Sequence, residues 1–66
     1  MNMSDPPNIP LDVIPSSAQF VVFCPHEGLI SEHPTEKDAS RALITKLKTD
    51  LEAAIYVREE DCWHLF

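Results

Sequence analysis

The chain has 66 residues, a formal net charge of -6 and a hydrophobic content of 44%. A chain of this length forms one small domain with little interior to spare for a deep catalytic pocket, so its size favours binding over catalysis. The excess of acids disfavours non-specific binding to nucleic acid or to an anionic membrane, because both require a positive field. We therefore predict a non-enzymatic protein that needs no cofactor.

The compartment can be inferred from the N-terminal sequence and from the cysteines. The stretch MNMSDPPN has neither the basic start nor the apolar run of a secretory signal. No apolar run approaches the 18 or so residues that a membrane-spanning helix needs. We expect a cytoplasmic protein whose two cysteines stay reduced.

Residues 1–18 contain four of the six prolines. Proline fixes φ and removes an amide donor, so we predict an extended or disordered arm over 1–18 and a single small domain over 19–66. The apolar side chains within the arm allow a second interpretation, in which they cover an apolar surface of this molecule or of another. These side chains are Ile9, Leu11, Val13 and Ile14.

The next segments predict a β-hairpin. The run QFVVFC is rich in β-branched and aromatic residues and predicts a strand, and LISEH predicts the returning strand. Between them, Pro25 suits a turn, and Gly28 supplies the left-handed conformation where the chain reverses.

A helix is predicted after Pro34. Thr35 is placed to cap the free amides, with Asp38 at the capping-box position. Apolar residues recur at spacings of three and four and predict one buried stripe; they are Ala39, Ala42, Leu43, Leu47 and Leu51. We place the helix end between Thr49 and Glu52.

The last 13 residues predict a second hairpin, with AIYVR and CWHLF as strands around the polar break EED. The predicted fold is therefore α+β, in β-β-α-β-β order. It is a small antiparallel sheet of three or four strands with one helix packed on one face.

Such a sheet has two apolar faces but one helix. We expect the helix to cover Ile55, Val57, Trp63 and Leu65, which leaves an apolar face whose cover could be the arm, a protein partner or a second copy of the chain. The predicted partner-binding residues are Tyr56, His64, Phe66, Phe20 and Val22.

The two cysteines each precede a histidine by two positions, as Cys24 with His26 and Cys62 with His64. Together they would supply four zinc ligands, although metal-binding pairs usually have two to four residues between them. The stretch CPHEG resembles the Cys-Pro-x-Cys-Gly knuckle of zinc ribbons, but Glu27 replaces the second cysteine. A metal site, a disulfide and unrelated residues remain open, and we favour the last.

The function favoured by these features is an acidic protein-interaction domain, acting as a modulator or inhibitor of a basic partner. One alternative is a small zinc-binding domain built on the two Cys-x-His units. Another is a weak nucleic-acid module, because Lys37, Arg41 and Lys48 fall on one ridge of the helix.

Overall fold

The computed structural model describes residues 8–66, which form a five-stranded antiparallel sheet with one helix. The strand order is β1-β5-β4-β2-β3. The α+β class is confirmed, whereas the prediction of three or four strands is wrong. The elements are β1 (Asn8–Pro10), β2 (Phe20–Cys24), β3 (Gly28–His33), α1 (Glu36–Leu47), β4 (Ala54–Arg58) and β5 (Cys62–Leu65).

The additional strand, β1, comes from the proline-rich segment. It pairs antiparallel with β5, with Ile9 opposite Trp63. Pro10 is tolerated in this strand because β1 lies at the edge of the sheet, where one side of the backbone needs no partner. Residues 1–7 lie outside the described part of the chain, and the division between an arm (1–18) and a domain (19–66) stays a prediction.

The helix begins as expected and ends early. Thr35 Oγ1 accepts a hydrogen bond from the amide of Asp38 at 3.3 Å, as the capping pattern predicts. The helix stops at Leu47, because the amides of Thr49 and Asp50 both turn back to the carbonyl of Lys46. Leu51 is consequently 85% exposed and does not belong to the buried stripe. Within residues 8–66, no helix is long and apolar enough to cross a membrane.

Helix α1 covers part of one sheet face. It contacts β2, β3 and β4 but neither β1 nor β5. Its Ala39 packs in a buried cluster on this helix side, and Ala42, Leu43 and Leu47 lie against the cluster. The strand and loop residues of the cluster are Val22, Cys24, Ala53 and Ile55.

The segment before β2 covers the opposite face. Ile14 is fully buried there against Val21, Tyr56 and Trp63, with Ile9 and Leu11 packed around them. This arrangement explains why the first long strand is apolar on both sides: Val21 faces the segment and Val22 faces the helix. We call the face beneath Ile14 the arm side.

The predicted faces of β5 are wrong. Trp63 and Leu65 were expected under the helix, but Trp63 lies on the arm side and Leu65 is paired with Tyr56 of that side. In the observed register, Arg58 pairs with Trp63. Because a shift of one residue would move every side chain of β5 to the other face, this register decides that Trp63 lies on the arm side.

Candidate functional site

The predicted partner-binding residues do not share a helix-free face. Tyr56 lies on the arm side and is buried beneath that segment. The other four lie on the helix side. Val22 is fully buried in the helix-side core and Phe20 packs against that core, whereas His64 and Phe66 lie at β5, which the helix does not contact. Whether any of them contacts a partner stays a prediction.

Three of these residues form a partly open surface together with Val57. Val57 pairs with Phe20 on one side and with His64 on the other, so the three form a row across β2, β4 and β5. The ring of Phe66 meets that of Phe20 edge-on, with centroids 5.4 Å apart. We call Phe20, Val57, His64 and Phe66 the aromatic patch.

The aromatic patch is open because the helix does not reach β5. Phe66 is 57% exposed, although its amide is fixed by a 2.9 Å hydrogen bond to the carbonyl of Ile55. Phe20, Val57 and His64 are each half-buried. The result is an aromatic surface held by backbone pairing and accessible from outside.

Three exposed acids, Glu59, Glu60 and Asp61, form the tip of the β4–β5 hairpin, next along the strands to the Val57–His64 end of the aromatic patch. None of them makes a salt bridge to any residue from 8 to 66. The nearest base in sequence, Arg58, points to the arm side, where its guanidinium donates to the Ser16 carbonyl at 2.9 Å and lies over the Trp63 ring. We call the three acids the acidic tip.

The two Cys-x-His units lie too far apart to share one metal ion. Cys24 follows the Phe23–Ala54 pair, whereas Cys62 lies beyond Arg58 at the other end of β4. Four residues of strand separate them by at least about 13 Å. A single zinc site made of Cys24, His26, Cys62 and His64 is therefore wrong, and so is a disulfide, since both thiols are free.

Each unit instead meets carboxylates that the sequence did not single out. The Cys24 thiol donates to Asp50 Oδ2 at 2.7 Å, and His26 Nε2 lies 2.6 Å from Glu52 Oε1. The hydrogen bond from Cys24 and a second one from the Glu52 amide lower the pKa of Asp50. Asp50 and Glu52 were missed because they are more than 20 residues from Cys24 and lie after the helix.

The second unit has a poorly reactive thiol. Cys62 Sγ lies 3.2 Å from His64 Nε2 on the same side of β5. Burial raises the pKa of Cys62, and hydrogen bonding to Asp61 and the negative charges of Asp61 and Glu59 raise it further. The thiol therefore stays protonated at neutral pH, which makes Cys62 a weak nucleophile.

Substituting Asp61→Asn should speed alkylation of Cys62 by iodoacetamide at pH 7. Removing one adjacent negative charge lowers the thiol pKa and raises the thiolate fraction, so we expect a rate increase of roughly two- to fivefold. Mass spectrometry of the labelled protein gives the rate at each cysteine, and Cys24 should stay unlabelled in the folded state because it is fully buried. The matched control is Glu60→Gln, and equal acceleration by both substitutions would contradict the local effect of Asp61.

An open depression of about 420 Å³ lies between the segment before β2 and the end of β3. Two of its polar side chains already have partners, since Glu32 accepts from the Ser16 hydroxyl at 2.6 Å and His33 contacts the Ser31 hydroxyl at 2.7 Å.

The basic ridge of the helix is exposed. Lys37, Arg41 and Lys48 all face solvent, but Ile44 occupies the same ridge and is 63% exposed. A phosphate-binding role for the ridge stays a prediction.

The chain matches no protein-family model, and no curated protein or solved structure is significantly similar to it. A function must therefore be inferred from the aromatic patch, the acidic tip and the Cys-x-His units themselves.

Proposed function

We propose that the protein is a non-enzymatic interaction domain that binds a basic protein segment through the aromatic patch and the acidic tip. The observation that carries the proposal is the exposed Phe66 ring, packed on Phe20 in a patch whose Val57–His64 end leads into the acidic tip, where no acid makes a salt bridge within residues 8–66. Exposed aromatic residues are enriched in protein interfaces, and a neighbouring charged rim steers a partner of opposite sign.

The arm side is a weaker candidate for this role. Ile14 already buries the centre of that face, including Tyr56 and Trp63. A partner there would first have to displace a fully buried side chain, whereas Phe66 is accessible without any rearrangement.

Charge favours a basic partner over a second copy of the chain. Each copy carries a net charge of -6, so two copies repel each other as they approach. Like charges that face each other across an interface oppose association. A segment that carries both Lys or Arg and a large apolar side chain would instead match the acidic tip and the aromatic patch.

The biological role that fits this surface is modulation or inhibition of the basic partner. An acidic domain that occupies a basic surface competes with other anions for it, including nucleic acid. This role rests on charge complementarity and on the absence of paired bases around the acidic tip within residues 8–66.

Selection of displayed peptides on the immobilised protein tests the proposal. We expect the enriched peptides to combine Lys or Arg with Leu, Phe or Trp. A synthetic copy of such a peptide should bind at least about tenfold more weakly to the Phe66→Ala variant, because a central aromatic anchor contributes more than 1 kcal/mol to binding. Its affinity should also fall when salt is added.

The matched control is Leu51→Ala, which removes a large apolar side chain that is even more exposed but precedes β4, at the opposite end of that strand from the acidic tip. It should leave peptide affinity unchanged. Enriched peptides without basic residues, or equal binding to the wild type and to Phe66→Ala, would refute the proposal.

A further inference from the structure

One end of the sheet brings together a thiol, an imidazole and two carboxylates. Cys24 ends β2, His26 lies in the β2–β3 turn, and Asp50 and Glu52 lie in the connection between α1 and β4. One ligand atom from each of Cys24, His26 and Asp50 falls within 4.8 Å of the others. Donors from two separate segments therefore converge on one point.

The backbone fixes Asp50 in this position. Its amide bonds to the Lys46 carbonyl at 2.9 Å, and its Oδ1 accepts from the Glu52 amide at 3.0 Å. Oδ2 is then directed at Cys24 Sγ. The fully buried Cys24 contributes a thiol to the same point from beneath. Two of the three donors are therefore held by structured elements before any ligand binds.

The contact between His26 and Glu52 is the second observation that points to a ligand. Histidines that bind metal usually donate their other ring N–H to a carboxylate, which fixes the tautomer and the ring orientation. With Nε2–H donated to Glu52 Oε1 at 2.6 Å, the lone pair of His26 lies on Nδ1 and is available to a cation.

We propose that Cys24, His26 and Asp50 bind a divalent cation of the zinc class, with Glu52 as the positioning residue of His26. Mixed sulfur, nitrogen and oxygen donors suit zinc. Ligand atoms around tetrahedral zinc are about 3.3–3.6 Å apart, and the three atoms already lie within 4.8 Å of one another. Three protein ligands leave a fourth position for water or another ligand.

The charges of the cluster favour a cation once the thiol ionises. Coordination forms the metal–sulfur bond, breaks the Cys24 S–H bond and releases that proton to the buffer. The cation then faces the negative charges of the thiolate, Asp50 and Glu52. The nearby Lys46 is neutralised by Glu27, which accepts from its ammonium group at 2.9 Å and 3.1 Å.

Titration of the metal-free full-length chain with Co²⁺ tests the proposal, because a cobalt–thiolate bond gives a charge-transfer absorption. We expect one equivalent to bind with this absorption and with release of about one proton. Zn²⁺ should displace the cobalt and should raise the unfolding temperature.

Four single variants locate the site. The substitutions His26→Gln and Asp50→Asn should each weaken binding by at least about tenfold, and Glu52→Gln should weaken it by roughly 10- to 100-fold while keeping the thiolate absorption at saturation. His26 and Glu52 are both exposed, so His26→Gln and Glu52→Gln should fold. Cys62→Ser is the control, because Asp61, Cys62 and His64 form the other thiol–imidazole–carboxylate cluster among the described residues.

Unchanged affinity in His26→Gln and Asp50→Asn would overturn the proposal. Loss of the cobalt absorption in Cys62→Ser would also overturn it, because the metal would then be bound at β5. A third refuting result would be saturated binding without any cobalt–thiolate absorption.

Discussion

Replacing Ile14 with alanine is expected to lower the free energy of unfolding by about 2–4 kcal/mol. Ile14 is fully buried against Val21, Tyr56 and Trp63, so the substitution leaves a cavity between the N-terminal segment and the sheet. A 66-residue chain has a total stability of about 3–10 kcal/mol, so this single change removes a large share of it. Urea denaturation followed by far-UV circular dichroism measures the loss.

The neighbouring residue provides the control for this experiment. Val13 is 53% exposed, and Val13→Ala should change the free energy of unfolding by less than about 0.5 kcal/mol. Equal effects at both positions would mean that the segment acts through its chain conformation and that Ile14 is not a core residue.

A large effect of Ile14→Ala would also bear on where the domain begins. Composition favours an arm over 1–18, since proline is concentrated there. Nevertheless, Ile9 pairs with β5 and Ile14 fills the arm-side core. A chain that starts at residue 19 should therefore be at least as unstable as Ile14→Ala.

Local signals in the sequence predicted most of the secondary structure. Thr35 caps the helix because its hydroxyl reaches an amide three residues later, and Gly28 adopts the positive φ of 86° that its turn requires. Both depend on a few adjacent residues, so both can be read from the sequence. The helix end was misplaced because the side chain of Asp50, just after the helix, contacts Cys24, which is 26 residues away in the sequence.

The faces of β5 could not be predicted in the same way. Alternation correctly separates Trp63 and Leu65 from His64, but it does not say which set faces the helix. That choice depends on the register across the β4–β5 hairpin, and its turn, Glu59 to Asp61, contains no dipeptide that imposes one. The pairing of Arg58 with Trp63 settles it.

The position of the aromatic patch depends on the same β4–β5 register. His64 and Phe66 were predicted to bind a partner on the helix-free face, and the observed pairing moves both to the helix side, where α1 leaves β5 uncovered. The carboxylates near Cys24 and His26 come from a different part of the chain, so spacing within CPHEG could not reveal them.

Replacing Trp63 with alanine should have the largest effect of any single substitution, a loss of about 3–5 kcal/mol in the free energy of unfolding. Trp63 is the largest fully buried side chain, and its indole Nε1 has no hydrogen-bond partner within residues 8–66. The conservative variant Trp63→Phe should recover part of the loss, because it keeps most of the apolar contact without burying an unpaired N–H. Leu65→Ala, on the same side of β5 but exposed, is the control and should cost much less.

A double-mutant cycle between Trp63→Ala and Ile14→Ala tests which face Trp63 occupies. The two side chains share one buried cluster, so their effects on the free energy of unfolding should deviate from additivity by more than about 0.5 kcal/mol. The two alanine substitutions together would leave too little stability to measure. The cycle is therefore measured with the milder variants Ile14→Val and Trp63→Phe, in a buffer that contains a stabilising salt. The opposite outcome would be additive effects of the Trp63 and Ile14 substitutions, with coupling between Trp63 and Leu43 of the helix-side core. That result would place Trp63 beneath the helix and contradict the register in which Arg58 pairs with Trp63.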